Sequence, residues 1–165
     1  MIIAGIDPGL TGAIVLLDSA DPLFLRGFDM PILTLPRGGK SKREIDVHML
    51  VRMLRNTKIA HAFIEQAGAR PGQGVTSMFA FGKSFGIIVG ILAALNIPTT
   101  FVPPRHWKTT LQVPAAKAGA RARASQLLPH AADRWARAKD DGRAEAAILA
   151  YFGQRELNRT AAAAE

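Results

Sequence analysis

The sequence predicts an α/β fold: a mixed five-stranded sheet, its first three strands antiparallel, flanked by helices. Three observations predict it. Short apolar runs come first, joined by a Gly/Pro turn. Helically spaced segments then alternate with buried runs. Two of the apolar runs end on an acid, at Asp7 and at Glu65.

Ile2 to Ile6 reads as the opening strand and closes on Asp7; Pro8-Gly9-Leu10-Thr11-Gly12 turns the chain into a second run, Ala13 to Leu17. Leu23 to Met30 supplies a third strand after a turn at Asp18–Pro22, and Pro36 to Lys42 reads as a flexible basic loop. Helical spacing covers Glu44 to Arg55, with Ile45, Met49 and Met53 on one face. Ala60 to Ile64 is a buried strand ending on Glu65, and Gln66 to Gly74 is a Gly/Pro-rich loop.

Val75 to Leu95 carries a long helical pattern, with Met78, Phe81, Phe85, Ile88 and Leu92 as a core or interface stripe. Thr99 to Val102, between prolines, is the fifth strand. A helix is expected from Pro114 to Leu128, and the last from Asp141 to Phe152 with Gly153 closing it. Residues 1–153 therefore make one expected domain and 154–165 a frayed tail.

Composition excludes several classes. Without cysteine there are no disulfides, no thiolate catalysis and no Cys-type zinc site, and His48, His61, His106 and His130 lack metal-ligand spacing. No apolar run long enough for a bilayer is expected, Ile87 to Leu95 being too short, and Met1-Ile2-Ile3-Ala4 lacks the charge of a signal peptide. The expected location is the cytoplasm, with no membrane partner.

The formal charge of +8 is unevenly spread. No Asp or Glu lies between Glu65 and Asp133, a stretch that holds Arg70, Lys83, Arg105, Lys108, Lys117, Arg121 and Arg123. Such segregation makes a field that draws in phosphate backbones. A solvated basic surface is the plainer reading, and composition does not separate the two.

The acids carry more. Asp7 and Glu65 end strands, where α/β sheets present their ligands, and Asp141 and Glu145 stand one turn apart on the last helix. Singly, each has an ordinary role: a turn cap, a strand-end charge, a helix N-terminal acid. Together on core elements they would repel without cations between them, and oxygen ligands select magnesium or manganese. Two such ions suit phosphodiester displacement.

Several segments resemble the RuvC family of Holliday junction resolvases: Ile6-Asp7-Pro8-Gly9-Leu10-Thr11-Gly12-Ala13 its first-strand motif, and Phe63-Ile64-Glu65 its second acidic strand. Gly72 to Gly82 is similar to the helix entry of phage-type relatives. Pro104-Arg105-His106-Trp107-Lys108 followed by Lys117 resembles the basic segment, and Asp140 to Ala147 the acidic last helix.

The resemblance spans about residues 1–153. It implies an RNase H-like fold and a homodimer in a bacterial cell, phage-encoded or not. It implies metal-activated hydrolysis of a four-way junction to 5′-phosphates, with Asp7, Glu65, Asp141 and Glu145 as catalytic ligands of two Mg2+ ions, Mn2+ substituting. Lys108, Lys117, Arg121 and Arg123 are the implied DNA contacts, with Arg70 and Lys83 beside them.

Two departures qualify it. The family's bacterial enzymes space their last two acids three apart, whereas Asp141 and Glu145 are four apart, so Asp140 competes with Asp141 as ligand. Those enzymes also carry a base-stacking aromatic soon after the second acid, and Gln66-Ala67-Gly68-Ala69-Arg70 has none, which favours reading of shape over sequence. Trp107 is expected to pack a helix onto the sheet. The alternatives are a junction-binding protein without catalysis, or a nuclease of flaps, forks or single strands. An actin-like ATPase, which needs two large domains, does not fit this length.

Overall fold

The computed structural model describes residues 1–165 apart from 22, 67, 69–71, 73, 117, 164 and 165, and all the described side chains except those of 37 and 40. The chain runs β1 (Ile2–Asp7), β2 (Ala13–Asp18), β3 (Leu25–Asp29), β4 (Ile32–Arg37), β5 (Lys40–Ile45) and α1 (Val47–Arg55). There follow β6 (Ile59–Glu65), α2 (Val75–Ala94), β7 (Thr99–Val102), α3 (Pro104–Thr110), α4 (Gly119–Leu127) and α5 (Asp141–Ala162). The main sheet has the order β3-β2-β1-β6-β7; β1 to β3 form an antiparallel meander, while β6 and β7 run parallel to β1. This is the predicted mixed five-stranded sheet.

Strand alternation divides the core into two layers. Ile3, Val15 and Phe63 face the side covered by α3, α4 and α5. Ala4, Ile6, Ile14 and Ile64 face the side covered by α1 and α2. Helix α5 lies directly on β1 because Gly5 has no side chain: a Cβ there would collide with the backbone of Ala146 and Ala150.

Several boundaries differ from the sequence reading. Pro36 to Lys42 is not a loop but the end of a β4–β5 hairpin that forms its own two-stranded sheet. Gly38 and Gly39, with φ of 53° and 75°, supply the tight turn that the strand twist favours. Helix α1 consequently starts at Val47, where the Asp46 side chain accepts from the Met49 N–H at 2.9 Å.

The fourth helix begins at Gly119 rather than Pro114. Gly153 does not end α5, because it is packed under the Phe63 ring rather than placed at a cap. The helix continues to Ala162, so the segment expected to fray is helical, with Leu157 against the core.

Helix α2 also corrects an expectation: by length and composition it is long and apolar enough to cross a membrane, with a mean hydropathy of 1.7. Lys83 is its only charged residue, and its three glycines, two serines and one threonine do not offset its apolar residues. Ile88, Ile91 and Leu92 are buried against the sheet, while Met78, Phe81 and Phe85 are half-buried. Val75 and Phe79 are exposed, and Gly82, Gly86 and Gly90 border open space.

Candidate active site

β1 and β6 are adjacent and parallel, with Ile6 opposite Ile64, so Asp7 and Glu65 close neighbouring strands at the same end of the sheet. By alternation both belong to the α5 side: Asp7 follows Ile3 and Gly5, and Glu65 follows Phe63. Gly142 in the first turn of α5 meets Asp7. A Cβ at that position would stand 3.1 Å from Asp7 Oδ2 and 2.6 Å from the Thr11 carbonyl oxygen. The helix thus brings Glu145 to the same place.

Electrostatics follow from that crowding. Burial first, and then the negative charges of Glu145 and Glu65, push the Asp7 carboxyl up to about 7, against the Gly9 N–H and Lys108, which act in the opposite direction. Around Asp7 each acid is held. Trp107, fully buried in α3, donates its indole N–H to Glu65 Oε2 at 3.1 Å. Lys108 Nζ is 2.8 Å from Glu145 Oε1, and Arg121 Nε donates to Asp141 Oδ1 at 2.7 Å. Lys108, Asp141 and Glu145 line one side of a cleft of about 310 Å3 whose other wall includes Val113, Pro114 and Ala120.

Asp140 turns elsewhere. It is buried, its carboxylate takes the Arg137 backbone N–H and a two-pronged grip from the Arg137 guanidinium at 2.9 Å, and this pairing holds its pKa low. Asp141 is therefore the acid beside Glu145 in the cleft, although Glu65 and Glu145, not Asp141, are the carboxylates that act on Asp7.

The expected basic residues separate into groups. Lys108 and Arg121 reach the acids. Arg123 is spent on the Leu111 carbonyl and Gln126, and Lys83 pairs with Glu44 on the far side of the sheet. Lys117 and Arg70 lie outside the described residues. Sequence reasoning missed the Trp107–Glu65 bond, for which no spacing signals, and the Arg137–Asp140 clamp, which an i,i+3 pair of opposite charge does signal.

Among the described residues no three His, Asp or Glu side chains are gathered closely enough to hold an ion as they stand. The donor chemistry nonetheless fits a hard divalent cation. The set is carboxylate only, and the burial and mutual repulsion that together raise Asp7 are what a bound cation offsets.

The mixed five-stranded sheet flanked by helices is an RNase H-like fold. The chain is similar to Thermus thermophilus RuvC in complex with a Holliday junction substrate, with a TM-score of 0.55 and 13% identity, covering 91% of this chain and 90% of that one. It is also similar to a second Thermus thermophilus RuvC structure, with a TM-score of 0.52 and 16% identity, covering 94% and 97%. The likeness is one of fold. No family model matches the chain, and no curated protein matches it in sequence.

Proposed function

We propose that residues 1–153 form one nuclease domain that cuts branched DNA, the four-way junction foremost, by magnesium-dependent hydrolysis leaving 5′-phosphates. The observation that carries this reading is the gathering of Asp7, Glu65 and Glu145 on one face of the sheet, with Lys108 bound to Glu145. The similar fold of an enzyme solved with a junction supports the choice of substrate.

Asp7, Glu65, Glu145 and Asp141 would hold the metal. When bound, two magnesium ions would polarise the attacking water and neutralise charge on the phosphodiester. The chain's own residues do the rest. Trp107 fixes the orientation of Glu65, as an outer partner of a ligand does. Lys108 brings positive charge into the cleft where negative charge develops on the phosphate. Arg121 keeps Asp141 at the mouth of the cleft, next to the implied phosphate path.

The reading includes a homodimer, since paired nicks need two sites in fixed opposition. What supports it is α2, whose outer face joins exposed Val75 and Phe79 to the glycine row 82, 86 and 90, a surface on which a second helix can approach closely.

The test is incubation of a synthetic four-way junction with magnesium or manganese, beside a matched fork and linear duplex. Symmetric nicks in the junction alone support the proposal. Tight binding without nicks makes the chain a junction-binding protein, and equal cutting of the fork makes it a broader nuclease.

A further inference from the structure

The β4–β5 hairpin has no part in the acidic site, and its root is tied to the turn that follows Asp7. We propose that this hairpin is a DNA-binding ribbon that lies in a groove of a duplex arm, its tip on the phosphates. The proposal rests on the nuclease reading above and adds the surface that grips an arm.

The ribbon forms a two-stranded sheet separate from the main one, paired from Ile32–Ile45 at the root to Arg37–Lys40 at the tip. Six residues per strand carry it about 20 Å at the usual rise. Its root is fixed. Ile45 is buried, Arg43 donates to the Leu10 carbonyl at 3.4 Å, and Glu44 is gripped by Lys42 at 2.7 Å and by Lys83 of α2 at 2.8 Å. Leu10 belongs to the turn that follows Asp7, while Ile45 and Glu44 tie the root to the α1/α2 side of the sheet.

From Pro31 to Arg43 there is no acid, and the tip pair Arg37–Lys40 is cationic, while Lys42 and Arg43 are engaged nearer the root by Glu44 and the Leu10 carbonyl. Leu33 and Leu35, each 42% exposed, lie on the strand between root and tip. A ribbon kept only for solubility has no use for two exposed leucines. A groove does: the major groove admits a two-stranded ribbon, and apolar side chains contact the base edges while cations meet the backbone. A protein partner would suit the leucines but not an acid-free tip with a cation on each strand.

The experiment measures binding of a labelled junction, and of linear duplex, across salt concentrations in EDTA so that nothing is cut. Loss of two phosphate contacts in R37Q/K40Q should reduce the slope of log K against log salt by about 2 and weaken binding roughly tenfold or more near physiological salt. R155Q/R159Q, of equal charge loss at the far end of α5, should keep the wild-type slope. An R37Q/K40Q slope equal to that control overturns the ribbon while leaving the nuclease reading standing. Absence of DNA binding by the wild-type chain overturns both.

A second measurement does not depend on charge. The chain has no cysteine, so Ser41→Cys places a unique photocrosslinker near the tip. Adducts on a duplex arm are expected, and none at saturating DNA overturns the proposal.

Discussion

Lys108 places its ammonium 2.8 Å from Glu145 Oε1 and 4.9 Å from the centre of the neighbouring Trp107 ring. A single short helix, α3, thus sends Lys108 to Glu145 and the residue before it, Trp107, to Glu65. If the lysine serves the transition state, Lys108→Met lowers single-turnover cleavage by roughly 100- to 1,000-fold while junction binding in EDTA falls far less. Parallel losses in the two assays would reduce Lys108 to a phosphate contact.

Asp7→Asn should end cutting and retain junction binding. It should also stabilise the metal-free protein. The Asp7 carboxyl sits at about 7 in the fold against an ordinary 3.8, so its protonated form is favoured by folding. That contribution is full below about pH 4 and is lost as pH rises through 7. Thermal unfolding in EDTA at pH 8 should therefore show the variant more stable by on the order of 2–4 kcal/mol, with the gap closing as pH approaches 4. An equal gap at both pH values would contradict the assignment of the shift.

Magnesium competes with the same proton. Apparent metal affinity should fall as pH drops below about 7, and binding near pH 6.5 should release protons, measurable as a buffer-dependent heat. Affinity independent of pH from 5.5 to 8 would remove Asp7 from the ligand set.

Trp107→Phe keeps the aromatic volume and removes the donor to Glu65. The expected cost is about 1–3 kcal/mol of stability and a 10- to 100-fold loss of metal affinity. The metal readout matters, since a purely packing role would leave it unmoved.

Asp140 and Asp141 separate cleanly by what they lose. Asp140→Asn breaks the buried Arg137 clamp and should cost about 1–3 kcal/mol, with activity per folded molecule preserved. Asp141→Asn should barely change stability but depress cleavage. The reverse pattern would exchange the two assignments.

Gly86→Leu puts a large side chain into open space on α2 and so should not disturb the monomer fold. Sedimentation should report a dimer for the wild type and a monomer for the variant, with coordinated double nicks replaced by single ones.

Much of this was legible in the residues. Short apolar runs that stop abruptly on an acid marked β1 and β6, and the order of such runs marked the sheet. The hairpin was not read, because Pro36 and four basic residues mask an alternation that Gly38–Gly39 does signal. The length of α5 was misread because Gly153 mimics a terminator, when its true constraint is a ring across the layer. Pairings such as Trp107 with Glu65 join residues 42 apart and exist only once the layers close.

Glycine at positions 5 and 142 has a consequence for how the site could drift. The gauge between the sheet acids and the helix acid is set by two absent methyl groups: Gly5 faces the backbone of Ala146 and Ala150 just past Glu145, and Gly142 faces Thr11 and Asp7 one turn before it. Alanine at either place would wedge the layers apart without touching a carboxylate. A displacement of about 1 Å between reacting groups can cost 100-fold in rate. Such a variant would stay folded, keep every acid and every lysine, and be out of tune.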